Sequence, residues 1–394
     1  MPRYPRFTDA ADGLSASVYT SLLGLARANA PEVFALNVGD TFLEPPEPAS
    51  VDALAHARFE GMHRYSEVRG EPRLLDAVVD DAARRDRTID RDSIQVTPGG
   101  TTGLDLACRA LLAHGDEVLL LAPYWPLIRG IVSANGARII EVPFFTELAK
   151  PSFDLRAALE AHVTDRTVAI YVNSPNNPTG VVLDHAQITE LARFAHKHEL
   201  WVLSDEAYER LDYGTPAQPI WMHEQLRERT VVLHTLSKSY GLSGARVAYL
   251  HGPHALMSAI FDLSTFTNYC AARPMQIAGA AALSSPEGER WVQRARELYR
   301  DAAERTAKVL RVPAPESGTF AFFDLEPHLA PGEKAHDLLE RIARAGVVLT
   351  PGTAAGQAYG TWARLCFTCV PTAVLTRALA TLERVLYASS HEAP

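Results

Sequence analysis

The chain carries four short segments whose residue types and spacing suit chemistry on a bound small molecule. In TLSKSYGLSGARVAYL (235–250), Lys238 sits in a Ser/Gly-rich turn just after the apolar run 231–233, and Arg246 follows eight residues later. A lysine shielded from water at a strand end loses its proton and becomes a Schiff-base nucleophile. An arginine nearby offers a forked, bidentate grip on phosphate. Taken alone, a lysine in a Ser/Gly loop is usually just solvated. In SDEAYERL (204–211), Asp205 follows the apolar run WVL and Tyr208 comes three residues on. An acid at the carboxyl end of such a strand points into the ligand crevice of an open α/β sheet. It can hold a proton on a pyridine nitrogen and make the ring an electron sink. The plainer reading is an N-cap aspartate beside a packing tyrosine.

Two further segments are weaker singly. NSPNNPTG (173–180) is a turn by composition, and in it Asn177 can donate to a ligand oxygen while prolines stiffen the loop. TPGGTTGLDLA (97–107) puts glycines and threonines at a helix start. Backbone amides there, with the hydroxyls of Thr101 and Thr102, form a phosphate cradle. It is neither a Walker motif nor a G-x-G-x-x-G fingerprint.

The elements around these segments read as α/β. Apolar runs at 94–97, 118–121, 138–142, 168–172, 201–203, 231–233 and 246–250 are strands, and their continuity marks burial on both faces. Helical patterns cover 51–60, 71–85, 104–115 and 186–198. Such alternation predicts a parallel-rich sheet wrapped by helices. A long helix is expected over 287–311, leading to strands at 319–325 and 347–349 and helices at 334–345 and 372–386.

Composition excludes several classes. The chain has 394 residues, 47% hydrophobic and 22% charged, as in a globular protein of two or three domains. Its net charge of −9 offers no bulk attraction to nucleic acid or anionic membrane, although one local anion site remains compatible. No stretch approaches the roughly 20 apolar residues that span a bilayer. The start, MPRYPRFTDAADGLS, lacks the apolar core of a signal peptide, so the cytoplasm is the expected location. Four cysteines are too few for a disulfide scaffold. Cys366 and Cys369 form a CxxC pair in an apolar run. As strand residues three apart they would face opposite sides, and no second cysteine pair completes a metal site, so buried structural thiols are expected and no metal.

Taken together, the four segments resemble the class I/II aminotransferase family, the aspartate-aminotransferase superfamily of fold-type I pyridoxal-phosphate enzymes. The order of phosphate turn, aromatic, Asn-Pro-x-Gly loop, Asp-x-x-Tyr, Ser-Lys and Arg matches over about residues 30–385. The resemblance implies a large domain (48–280) with a mostly parallel sheet of seven-stranded type. It also implies a smaller α/β domain built from both chain ends (1–47 and 281–394). Lys238 would form the Schiff base with pyridoxal 5'-phosphate and then act as general base. Asp205 would pair with the ring nitrogen, and Tyr208 and Asn177 would bind the ring's phenolic oxygen. Gly100, Thr101, Thr102, Thr235, Ser237 and Arg246 would hold the phosphate. Trp125, in APYWP, matches the aromatic that stacks on the ring, with its neighbour Tyr124 as the alternative. Tyr65, in RYSEVRGEP, matches the tyrosine that reaches the partner subunit's cofactor, which implies a homodimer with shared active sites. Arg364, in ARLCF, would clamp the substrate α-carboxylate, with Gly39, Asn177 and Trp125 also at the substrate.

The reaction so implied is amino transfer between an L-amino acid and a 2-keto acid. The same constellation also serves lyases, cyclases and oxidases of amino acids. A PLP-sensing effector domain is disfavoured, because the motif order begins near residue 37 and leaves no room for a winged-helix module. Two departures stand out. Leu75 occupies a position where the family more often has arginine, and the loop DTFLEPPEP (40–48) is unusual. No match for a second, side-chain-reading arginine is seen, so a strict aspartate or glutamate donor is not expected.

Overall fold

The apolar runs of the sequence become a seven-stranded sheet because strands buried on both faces need apolar side chains at every position. The structure is a computed structural model that describes residues 22–56, 59–214 and 216–387. Strands are numbered along the chain from β1 (Phe34–Ala35). The large sheet holds β2 (Ile94–Thr97), β3 (Glu117–Ala122), β4 (Arg138–Pro143), β5 (Thr167–Asn173), β6 (Trp201–Asp205), β7 (Thr230–Thr235) and β8 (Ala248–His251). Their spatial order is β2-β8-β7-β6-β5-β3-β4. From β4 to β7 the pairings are parallel, and β8 runs antiparallel to both its neighbours. β8 begins two residues later than the sequence predicts, since Arg246 is in the left-handed region (φ 54°) and closes the preceding turn.

Alternate residues of β3 serve two cores. Val118, Leu120 and Ala122 face the helices Gly100–Leu111 and Pro126–Ala134, packing with Leu104 and Ile128. Leu119 and Leu121 face the helix His185–Lys197, packing with Ile188 and Leu191. At 25 cal/mol per Å² of apolar surface, each such side chain contributes about 1.5–3 kcal/mol, so the sheet is a rigid base for whatever projects from its rim.

The helix Pro286–Leu310 leads out of this layer; the Ser285 side chain caps it by accepting from the Gly288 amide. Beyond it, β9 (Phe320–Asp324), β11 (Thr350–Pro351) and β12 (Trp362–Cys366) form an antiparallel sheet in the order β11-β12-β9. β10 (Val347–Val348) pairs in parallel with β1, so residues near the start of the described chain meet residues near its end. Residues 1–21 of the expected small domain lie outside the described residues, as does the N-terminal stretch read for a signal peptide.

Two further expectations are corrected. Of the helix predicted over 51–60, Val51–His56 is helical and residues 59–60 are not, while 57–58 lie outside the described residues. The opposite-face argument for the CxxC pair does not hold. β12 ends at Cys366, the chain turns, and the Cys369 thiol donates to the Cys366 carbonyl oxygen at 3.4 Å. Cys366 is buried as expected, but Cys369 is only half-buried, because the turn carries it out of the strand, and the two thiols lie within hydrogen-bonding reach of each other. Among the described residues no helix is long and apolar enough to cross a membrane.

Candidate active site

The carboxyl ends of β5, β6 and β7 open onto a cavity of about 220 Å³. Its lining includes Gly39, Gly100, Thr101, Trp125, Asn177, Asp205, Tyr208, Thr235, Ser237, Lys238, Arg246 and Arg364, which the sequence singles out. Such a rim site is where an open α/β sheet binds ligands.

The floor is acidic. Asp205, the last residue of β6, is buried, and burial raises its carboxyl above the usual range. Opposing that, the Tyr171 hydroxyl donates to Oδ2 at 2.6 Å and the Ala207 amide to Oδ1 at 3.1 Å. The nearby His234 ring, on β7, also favours the charged form. Asn173, last in β5 and paired with Asp205, donates from its side chain to the Asp205 carbonyl oxygen at 2.9 Å. The same side chain accepts from the Asn177 amide at 2.7 Å, which seats the 173–180 turn over the strand ends. Asn177 Nδ2 then donates to the Tyr208 hydroxyl oxygen at 3.3 Å. Burial pushes the Tyr208 phenol up, so it stays a neutral hydroxyl.

Lys238 lies in the single turn Leu236–Ser239 that follows β7; the Thr235 side chain caps this turn by accepting from the Ser237 amide. Its ammonium donates to the Gly39 carbonyl oxygen at 2.7 Å. Removal from water lowers the lysine below its ordinary value. That is the direction a nucleophilic amine requires.

An anion cradle closes one end. Gly99 (φ 85°) precedes the helix Gly100–Leu111, whose first residues, Gly100 and Thr101, line the cavity. The Arg246 guanidinium passes directly over Gly99, where an added Cβ would collide with it. Arg246 is exposed and donates to the Ser243 carbonyl oxygen at 3.0 Å. A positive helix start with an arginine beside it suits a bound phosphate. The Thr102 side chain stays outside this lining: its hydroxyl donates to the Pro98 carbonyl oxygen at 3.2 Å.

The opposite wall carries Arg364, in β12 between Thr350 and Phe322. It is buried, donating to Asn177 Oδ1 at 3.0 Å and to the Asn37 carbonyl oxygen at 3.1 Å. Its guanidinium carbon lies 4.2 Å from the centre of the Phe320 ring, a cation–π contact.

The two candidate aromatics separate. Trp125 lines the cavity as the residue before the helix Pro126–Ala134. Tyr124 is fully buried and donates to Glu141 Oε1 at 2.5 Å, away from the cavity. Tyr65 is 82% exposed and outside its own cavity, with its ring 5.2 Å from that of Tyr269. Leu75, where the family more often has arginine, is buried in the core, an apolar contact in place of a charge.

Sequence reasoning missed Tyr171, Asn173, Ser243 and Phe320. Asn173 was visible as the first residue of the turn motif. The other three carry no local signal, because each acts through a partner at least 30 residues away or through the cavity itself.

The fold and this cavity define a class. Residues 31–382 match the family model for aminotransferase class I and II, and the chain belongs to that family. The arginine–pyruvate transaminase of Pseudomonas aeruginosa is 31% identical over 366 residues, covering 90% of this chain and 91% of that one. The aspartate/prephenate aminotransferase of Thermus thermophilus is 31% identical over 338 residues, covering 83% and 85%. Among solved structures, Thermus thermophilus aspartate aminotransferase with maleate superposes with a TM-score of 0.87 at 27% identity, covering 97% of this chain and 100% of that one. The aromatic aminotransferase of Pyrococcus horikoshii gives a TM-score of 0.84 at 25% identity, covering 93% and 98%.

The fold is therefore that of the type I pyridoxal-phosphate enzymes, and the protein is an aminotransferase dependent on that cofactor. The residues present fit the group. The cavity has an anion cradle that a Cβ at Gly99 would obstruct, a buried carboxylate suited to a ring nitrogen, and a desolvated amine.

Proposed function

We propose that this cavity is the transamination site and that its residues act as follows. Arg246, Ser237, Thr235 and the amides of Gly100 and Thr101 hold the cofactor phosphate. Asp205 holds the proton of the ring nitrogen, Tyr208 and Asn177 bind the phenolic oxygen, and Trp125 stacks on the ring. When bound, pyridoxal phosphate supplies an aldehyde that takes the substrate nitrogen and a ring that accepts the electron pair left at the α-carbon. Arg364 clamps the α-carboxylate, with Gly39 and Asn177 beside it, and this fixes which α-substituent faces Lys238. Nζ of Lys238 then takes the α-proton, a positioned proton transfer worth about 10²–10⁴-fold. The observation that carries this reading is the convergence of Lys238, Asp205, Arg246 and Arg364 on one cavity.

The substrates are an amino acid and a 2-keto acid. The lining holds two arginines, assigned above to phosphate and α-carboxylate, and adds Val38, Leu127, Trp125 and Phe320. This supports donors with apolar or aromatic side chains over a strict dicarboxylate. A donor screen that follows keto-acid formation tests it, and activity confined to aspartate and glutamate refutes it. Conversion of the cofactor to its amine form by donor alone separates transamination from elimination or oxidation.

The working unit is a homodimer with shared sites in the cytoplasm. Tyr65 is 82% exposed and its ring packs on that of Tyr269, itself 45% exposed, which supports an aromatic surface of the kind that marks interfaces. Mixing Lys238→Ala with Tyr65→Phe subunits restores one intact site per dimer if Tyr65 serves the partner's cofactor. No gain on mixing refutes that role. The division into 48–280 and 1–47 with 281–394 stands as part of the same proposal. Limited proteolysis with fragment mapping tests it.

A further inference from the structure

Tyr171 lies one layer below the cavity. It is in β5 opposite Leu203, while Asn173 is opposite Asp205, so its side chain and the Asp205 carboxylate share a face of the sheet. The phenol reaches along that face and donates to Asp205 Oδ2 at 2.6 Å. That length is typical of a hydroxyl bound to a charged carboxylate. Both residues are buried, and Tyr171 is not among the cavity-lining residues, whereas Asp205 is. Oδ1 meanwhile accepts from the Ala207 amide, so each carboxylate oxygen has a donor and the group cannot rotate freely. Burial and the Asp205 charge push the Tyr171 phenol well up, which keeps it a donor.

We propose that Tyr171 is a positioning residue for amino transfer: its hydroxyl keeps Asp205 charged and oriented, so that the proton the carboxylate shares with the cofactor's ring nitrogen stays on the ring. This rests on the Asp205 role proposed above. The physical reason is competition for one proton. A carboxylate that already accepts a strong hydrogen bond is a weaker base, so less of the shared proton moves onto it. Without the Tyr171 donor, a buried Asp205 draws that proton back, and the ring becomes a poorer electron sink. Arg364 lies in a different strand and sheet, so substrate binding should be untouched.

The test is Tyr171→Phe, which keeps the ring that packs with Leu104 and Cys108. Losing one hydrogen bond to a charged group should lower kcat about 10–100-fold, with KM for the amino acid nearly unchanged. With 15N-labelled pyridoxal phosphate, the ring-nitrogen signal should shift toward the unprotonated value. The Kd of the cofactor for the cofactor-free protein should rise. A purely structural tyrosine would lower the melting temperature and leave the nitrogen signal in place, and that result overturns the proposal. Should Tyr171→Phe not fold, 3-fluorotyrosine at position 171 decides. Its more acidic hydroxyl should move the 13C carboxyl signal of Asp205 in the cofactor-free protein, and an unmoved signal overturns the proposal. If the unsubstituted protein itself shows no protonated ring nitrogen, the Asp205 role fails, which is a separate outcome.

Discussion

The ammonium of Lys238 donates to the carbonyl oxygen of Gly39 at 2.7 Å, joining the turn after β7 to a loop 199 residues earlier in the chain. Burial of this amine in the cavity wall removes it from water. The folded state therefore gives up the lysine proton at a lower pH than the unfolded chain, whose lysines titrate near 10.4. Between those two pH values the unfolded chain binds more protons, so the stability of the cofactor-free protein should rise with pH as it approaches about 10.4. Below the window the ammonium carries a constant desolvation cost. Lys238→Met should thus flatten this rise in urea titrations run from pH 7 to 10. The same variant should lose amino-transfer activity and all borohydride-trapped cofactor.

Arg364 tests the carboxylate clamp. Lysine at this position keeps the charge and loses the planar fork that contacts Asn177 and Asn37. Arg364→Lys should reduce kcat/KM by about 10–100-fold, the cost of hydrogen bonds to a charged group. The loss should fall mainly on KM. Cofactor affinity, measured by absorbance titration, should stay near that of the parent.

Gly99 tests the phosphate cradle. Its φ of 85° costs an alanine about 1–2 kcal/mol, and the added Cβ would collide with the Arg246 guanidinium. The guanidinium must shift to make room, so Gly99→Ala should displace Arg246 from the helix start and weaken cofactor binding by about tenfold. Fluorescence titration with pyridoxal phosphate reads this directly. Free inorganic phosphate should compete with the cofactor in the parent and less well in the variant.

The adjacent aromatics Tyr124 and Trp125 make an internal control. Ring stacking is worth about 0.5–1.5 kcal/mol, so Trp125→Leu should raise the cofactor Kd by about 2–10-fold. Tyr124→Phe removes the hydroxyl that meets Glu141 and should lower the melting temperature without changing that Kd. The opposite pattern would show that the wrong ring has been assigned to stacking.

How far the sequence reaches is clear from particular elements. The strands β2 to β7 were legible because each is a short apolar run with a fixed burial demand on both faces, and that demand is local. Lys238, Asp205, Asn177 and Arg246 were legible because each stands at a strand end or in a turn beside a motif. Their convergence on one site was legible only through the order of the four segments and the family resemblance which that order carries. The antiparallel course of β8 was not legible, since direction depends on how the turn at Arg246 closes. Nor was the meeting of the two CxxC thiols, which follows from where β12 ends.

The amino-acid sequence by itself determined the family, the cofactor and the chemical types at the site. Those depend on residue identity and order, which the four segments carry without help from the rest of the chain. The tertiary structure decided which side chains meet across the fold. Only there does Trp125 separate from Tyr124, the Thr102 hydroxyl turn away to Pro98, and Tyr171 reach the carboxylate of Asp205. Such contacts join residues tens to hundreds of positions apart, and no spacing along a chain encodes the distance between two atoms on different strands.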